Sequence, residues 1–373
     1  MTIALVIAGP YPAPRGSQVL VKQMATGLGS RGHAVHVVAY GRWLHDRPGF
    51  HPLRLPLDVW LLLRLCRTIW RERVDVVHAH NYEAAILGLI AGRLFGRPVV
   101  YHGHGAMRDE LPTYARGTRL RRVLRRVGAW LDGAVPRRAD CSIAVTAELA
   151  ERLRGLGAGT VVRLEPRLAP EEILPAAGAG AAAAPDENVI VYAGNLDGYQ
   201  NLAYLLGAFA RVRRRVPSAR LRLLTHAGAA RAAQVCLHQP GVEVIETASF
   251  AEVQGELARA TVLVSPREER CGFPMKLLNY MAAGKAIVAT TGSAKGLHDG
   301  VTGLCVGDGE AGFASAIVEL LRDGERRQRL GDAARAAVTD PARWTAHLDA
   351  LDEIYQGMIA GDPDTAGELA YTE

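Results

Sequence analysis

Residues 262–306, VLVSPREERCGFPMKLLNYMAAGKAIVATTGSAKGLHDGVTGLCV, decide the fold class of this chain. An apolar strand, Val262–Ser265, runs into a polar loop that ends at Gly272. A helix then opens at Phe273-Pro274, carries Leu277, Leu278 and Met281 on one face, and stops at Gly284. A second strand, Ala286–Thr290, follows at once. The proline falls in the first turn, where a missing N–H removes no hydrogen bond. In this β-loop-α-β unit the amides of Gly272, Phe273, Met275 and Lys276 can face an anion, and Lys276 adds a formal positive charge.

The same alternation extends both ways. Upstream, Ile3–Ala8, Ala34–Tyr40, Val74–His78, Pro98–Tyr101 and Ala139–Val145 read as buried strands. Helical patterns separate them over 17–30, 82–95 and 147–156. After Val189–Ala193 the pattern restarts, with strands Leu221–Thr225 and Val242–Ile245, helices over 202–216 and 250–259, and three helices after residue 310. Strands alternating with helices build parallel sheets, with ligands at the strands' carboxyl ends. Residues 168–187 are rich in Ala, Gly and Pro without periodicity, which predicts a linker. The domains are therefore expected at 1–167 and 188–340, with a last helix over 341–360.

At 373 residues the chain exceeds one ordinary core, in agreement with two domains. A net charge of +6 permits phosphate-bearing or membrane-surface partners. Three of its four lysines (Lys276, Lys285, Lys295) fall in the opening stretch and are expected to surround a bound phosphate. Five scattered cysteines lack zinc-site spacing and point to a reducing, cytoplasmic compartment. No secretion signal or bilayer-length apolar run is evident, because the most apolar stretch, 57–65, is interrupted by Asp58 and Arg64.

Gly272-Phe273-Pro274, Met281-Ala282-Ala283-Gly284 and Ala286-Ile287-Val288 resemble the donor-binding motif of retaining GT-B glycosyltransferases, family 4 in particular. The motif's two glutamates fall on Cys271 and Asn279. Over about 350 residues the order of elements is similar too. The resemblance implies two Rossmann-like, doubly wound α/β domains facing a cleft, with the last helix packing back on the first domain. It implies transfer of a sugar from a nucleotide-diphosphate donor to a lipid-linked or saccharide acceptor in cell-surface polysaccharide assembly. No metal or other cofactor is expected, nor is nucleic acid as a partner.

Residue by residue, Val99-Val100-Tyr101-His102-Gly103-His104-Gly105 is similar to a family strand end, and His104 takes the place of its active-site histidine. His102 lies on the same side by period two. Glu110 is a second positioning candidate. His80 and Tyr11 are placed with His102 as cleft residues, and Gly16 matches a glycine near the donor diphosphate. Gly194-Asn195-Leu196-Asp197-Gly198-Tyr199-Gln200 replaces a family run whose arginine and lysine become Asn195 and Gln200. The donor-binding set is completed by Arg267, Glu269, Cys271, Gly272, Phe273, Pro274, Met275, Lys276 and Asn279. Glu268 or Glu269 is expected to substitute for the first glutamate. Acids and cations are thus exchanged together for neutral hydrogen-bonding groups. A non-catalytic homologue that binds sugar or nucleotide, or partners an active transferase, is the alternative. Arg119 to Arg138, seven arginines interleaved with Leu, Val and Trp130, reads as a basic amphipathic helix for an anionic membrane surface.

Overall fold

The computed structural model describes residues 1–13, 16–41, 54–115, 117–173, 187–196, 200–225, 239–267, 272–307 and 309–361. Most of the expected linker, and the candidates Cys271, Glu268 and Glu269, lie outside the described residues. The chain divides into two compact units, Met1–Pro166 with Cys271–Phe273 and Trp344–Glu373, and Arg167–Arg270 with Pro274–Arg343.

The first unit runs β1 (Thr2–Pro10), α1 (Gly16–Ser30), β2 (Ala34–Tyr40), α2 (Arg54–Glu72), β3 (Val76–His80), α3 (Asn81–Phe95), β4 (Val99–Gly103), α4 (Met107–Glu110), α5 (Thr118–Ala134), β5 (Cys141–Ala144), α6 (Ala147–Gly155) and β6 (Thr160–Arg163). Its sheet has the order β2-β1-β3-β4-β5-β6, with every pairing parallel. A parallel sheet is covered on both faces, so its strands are continuously apolar. Ile3, Ala4, Leu5, Val6 and Ile7 accordingly lie fully buried in β1. Strand order reverses between β1 and β3, which opens a crevice at their carboxyl ends.

Helix α2 is an element that the apolar pattern did not resolve. Its buried stripe is only Leu61, Leu65 and Ile69. The charges that interrupt the apolar run anchor the helix instead. The Tyr40 hydroxyl donates to Asp58, and Arg64 Nη1 donates to the Ala39 carbonyl at 3.0 Å.

The second unit runs β7 (Val189–Ala193), α7 (Leu202–Arg215), β8 (Arg220–Thr225), β9 (Val242–Glu246), α8 (Phe250–Arg259), β10 (Val262–Ser265), α9 (Lys276–Ala282), β11 (Ile287–Thr290), β12 (Leu304–Val306), α10 (Glu310–Arg322) and α11 (Gly324–Val338). All pairings are parallel, in the order β12-β11-β10-β7-β8-β9, so the reversal falls between β7 and β10. Helix α9 starts later than the sequence suggests. Leu277 N bonds the Pro274 carbonyl at 2.8 Å and Leu278 N that of Met275 at 3.2 Å, so the chain enters through tight i→i+3 turns. The helix ends at Gly284, which sits at φ 66°.

A last helix, α12 (Pro341–Ala360), belongs to the first unit from Trp344 onward. Arg31 Nη1 bridges Asp349 at 2.7 Å and Asp352 at 2.9 Å, and His33 Nε2 lies 2.8 Å from Asp352. Gly27 of α1 faces it so closely that a Cβ there would stand 2.8 Å from Trp344 and 3.0 Å from Leu348.

The basic segment is helical over Thr118–Ala134 and yields to a 3-10 turn at Pro136–Arg138. Its apolar residues Leu120, Val123, Val127 and Trp130 are exposed like its arginines. The helix is held instead through Gly128, Asp132 and Gly133. Asp132, 1 % exposed, accepts from the amides of Met107 at 2.7 Å and Arg108 at 3.2 Å, which caps α4. An Asp132→Ala variant is expected to lose about 2 kcal/mol, because two amides lose a charged acceptor. Denaturant unfolding followed by far-UV dichroism checks this, and an unchanged midpoint would contradict it.

Candidate active site

Each unit gathers polar side chains at its own strand-order reversal. In the first unit they are histidines. His78 and His80 alternate on β3, while His102 and His104 stand at the end of β4 with the same period-two spacing. Parallel register sets His80 opposite His102. The four rings stack: His78 on His80 with centroids 4.6 Å apart and planes 5° apart, and His102 on His104 at 4.8 Å and 8°. Two cross-strand hydrogen bonds connect them, His78 Nε2 to His102 Nδ1 at 3.0 Å and His80 Nδ1 to His104 Nε2 at 3.1 Å. Tyr355 of α12 closes the deep end, its hydroxyl 2.6 Å from His78 Nδ1.

His80 and His102, expected as cleft residues, offer no exposed surface. Both are fully buried behind His104, which alone of the four is partly exposed. Nitrogens of His78, His80 and His102 lie within 4.8 Å of one another. Nearly parallel rings point their in-plane lone pairs side by side rather than at one ion, and His78 has both nitrogens engaged. The arrangement is a hydrogen-bonded stack, not a chelating triangle.

Burial, and after it the neighbouring imidazoles, holds His78, His80 and His102 well below the usual histidine range, and burial pulls His104 down to about 4. Other first-unit candidates are more scattered. Gly16 is the exposed first residue of α1, and Tyr11 lies partly buried in the preceding loop. The Glu110 carboxylate accepts from the Tyr114 hydroxyl at 2.8 Å. A residue missed in the sequence is Glu83, in the first turn of α3. Burial pushes its carboxyl up to about 7 against the pull of Arg54, 3.1 Å away.

In the second unit Lys276 organises the site. It opens α9, and its Nζ donates to Gln200 Oε1 at 2.8 Å and lies 4.1 Å from the centroid of the Tyr192 ring. Burial, and secondarily Arg267, lowers its pKa well below the ordinary lysine value. Among the described residues no carboxylate pairs with Lys276, whose neighbours are the Gln200 amide and the Tyr192 ring, and Arg267 adds a second positive charge nearby. Gly194 makes the approach possible, since a Cβ there would stand 3.0 Å from Lys276 Nζ and 2.9 Å from the Tyr192 oxygen. Asn195 adjoins through its carbonyl, which accepts from the Tyr192 hydroxyl at 2.8 Å. Asn279, one helical step from Lys276, shares its face and is half-buried. Pro274 is buried and Met275 half-buried before the helix, while Gly272 and Phe273, also buried, group with the first unit.

Two sequence expectations change here. Lys285 precedes β11, at the amino end of that strand, and faces Arg327 rather than Lys276. The three lysines therefore form no single cluster. A seven-residue α9 also contributes little dipole, so the charge of Lys276 matters more than the helix start. Tyr192 and Tyr355, the partners that place Lys276 and His78, carried no sequence signal beyond being aromatic.

The histidine stack makes stability depend on pH. Each folded pKa lies below the unfolded value near 6.5, so the unfolded chain binds more protons in mild acid. The stabilisation is complete above about pH 6.5 and is lost as pH falls toward the folded values, at about 1.4 kcal/mol per pH unit for each histidine. Denaturant titrations at pH 7.5 and 5.0 should show the first unit weakening, with a shallower pH slope in His102→Leu than in the parent. Equal slopes would contradict the buried neutral stack.

Comparison with known proteins matches one family model to each half of the chain. The model for Glycosyltransferase Family 4 matches residues 14–165, and that for Glycosyl transferases group 1 matches residues 187–323. The chain is 22% identical over 377 residues to N-acetyl-alpha-D-glucosaminyl L-malate synthase of Bacillus anthracis, covering 94% of this chain and 96% of that protein. It is 25% identical over 309 residues to D-inositol 3-phosphate glycosyltransferase of Nocardia farcinica, covering 76% and 67%. Sucrose-phosphate synthase from Thermosynechococcus elongatus superposes with a TM-score of 0.78 at 17% identity, covering 96% and 99%. Anabaena HepE, solved with UDP and glucose, gives a TM-score of 0.68 at 15% identity, covering 95% and 99%. The fold is GT-B, and the chain belongs to the group 1, family 4-like glycosyltransferases.

Proposed function

We propose that this glycosyltransferase moves a sugar, with retention of anomeric configuration, from a nucleotide-diphosphate donor to a lipid-linked or saccharide acceptor. The observation that carries the donor half is Lys276, held close to Arg267 against Gln200 and Tyr192 with no carboxylate partner among the described residues. A desolvated lysine in that state, with the charge of Arg267 nearby, favours an anion. The HepE complexes with UDP and sugar support a diphosphate as that anion.

In the reaction the bond between the anomeric carbon and the diphosphate oxygen breaks, and its electron pair leaves on the diphosphate. The acceptor oxygen bonds the same carbon and gives its proton to a donor phosphate oxygen. Charge develops on the leaving group, so Lys276 and Arg267 stabilise the transition state most. Gln200 and Asn195 supply neutral contacts where the family resemblance implies cations, and Lys276 reaches the same loop from α9. Asn279 is assigned to the ribose hydroxyls and His104 to the sugar. Two cationic side chains at the diphosphate make a metal ion unnecessary in this reading.

A Lys276→Met variant should bind a nucleoside diphosphate roughly 10- to 100-fold more weakly, the value of one charge-assisted hydrogen bond. Binding of the nucleoside alone should barely change. Calorimetry with both ligands tests this, and equal diphosphate affinity would remove Lys276 from the site.

The acceptor reading is tied to a membrane surface. Helix α5 exposes four large apolar residues beside Arg121, Arg122, Arg125 and Arg126. Helices α2 and α3 expose eight more, among them Leu63, Trp70, Ile90 and Leu94, near Arg67, Arg71 and Arg93. No helix among the described residues is long and apolar enough to cross a membrane. Such faces suit an anionic leaflet, and we place the enzyme at the inner face of the cytoplasmic membrane. Vesicle flotation should recover the protein with anionic but not neutral lipid. Replacing the four α5 arginines by glutamine should weaken recovery at least tenfold, at about 1 kcal/mol per arginine. Equal recovery of both proteins would sink this assignment.

A further inference from the structure

His104 has one nitrogen committed inside the protein and one that is not. Its Nε2 lies 3.1 Å from His80 Nδ1, and its ring is stacked on His102. A single proton lies between those two nitrogens, because burial keeps both rings neutral, with the neighbouring imidazoles adding to the effect at His80. Two arrangements satisfy the contact. If His104 donates from Nε2, His80 must carry its own proton on Nε2. If His80 donates from Nδ1, its Nε2 is a bare lone pair.

His80 Nε2 decides between them. That atom is buried and has no hydrogen-bond partner. His80 itself is fully buried, with the rings of His78 and His102 stacked at 4.6 Å and 4.8 Å. A stranded N–H donor is the rarer defect in proteins, and an under-satisfied acceptor is better tolerated. The proton therefore belongs on His80 Nδ1, which leaves His104 as acceptor at Nε2 and protonated at Nδ1.

We propose that His80 is a positioning residue that fixes His104 as its neutral Nδ1–H tautomer, so that His104 offers the substrate a hydrogen-bond donor and no free lone pair. This rests on the reading of His104 as a substrate-facing group. A ring in that state grips an oxygen of the sugar. It cannot take the acceptor's proton, since Nδ1 is already protonated and Nε2 is occupied. The acceptor proton then goes to the donor phosphate, and no histidine serves as general base.

The test uses the full chain with 15N-labelled histidine, where one- and two-bond couplings distinguish the two tautomers, and His104→Gln identifies the His104 signals. The parent should show His104 protonated at Nδ1. His80→Asn places an amide N–H near the former Nδ1 and should retain that tautomer with kcat/KM within about threefold of the parent. His80→Leu removes the donor and should give a tautomer mixture with kcat/KM lowered roughly tenfold, the effect of about one hydrogen bond. Finding His104 protonated at Nε2 in the parent, or His80→Asn behaving like His80→Leu, overturns the proposal. The parent spectrum decides the tautomer even if a variant fails to fold. A nucleotide sugar should also shift the His104 Nδ1 signal. An Nδ1–H tautomer that ignores the donor supports the His80 assignment and overturns the substrate-facing reading of His104.

Discussion

A parallel strand cannot turn straight back into its neighbour. It must leave through a crossover, and the direction in which successive crossovers run decides where the loops part. In each unit the direction reverses once, between β1 and β3 and between β7 and β10. Every group assigned to chemistry follows from that constraint. Gly16 and His80 flank the first reversal, with His104 one strand further on. Gly194, Gln200, Arg267 and Lys276 flank the second.

The two reversals are furnished in opposite ways. The first holds neutral groups, four imidazoles whose burial disfavours a proton and whose stacking makes each added charge repel the next. The second holds cations, Lys276 and Arg267, and among the described residues no carboxylate pairs with Lys276. A neutral donor suits the uncharged sugar, and concentrated positive charge suits a departing diphosphate. Positive charge at the second reversal stands on α9, where Tyr192 and Gln200 hold Lys276.

Helix α12 couples the chain's end to its first site. Arg31 fastens it by charge, His33 contacts Asp352, and Tyr355 reaches the histidine stack. Truncation of the last turns would therefore remove a hydrogen-bond partner of His78 as well as surface packing.

Much of the fold was legible in the amino-acid order, because buried parallel strands are continuously apolar and the helices between them are periodic. The β-loop-α-β unit at 262–290, the basic helix and the period-two histidines could all be read there. Helix α2 could not, because its charges bond Tyr40 and Ala39, residues distant in sequence. Nor could the difference between His80 and His104, since spacing places both on one face but says nothing about depth. Sequence alone determined which residue types stand at the strand ends. Tertiary structure decided which are buried, which nitrogen meets which, and that Lys276 rather than Lys285 faces the β7 loop. Strand order sets those distances, and strand order is a property of the assembled sheet.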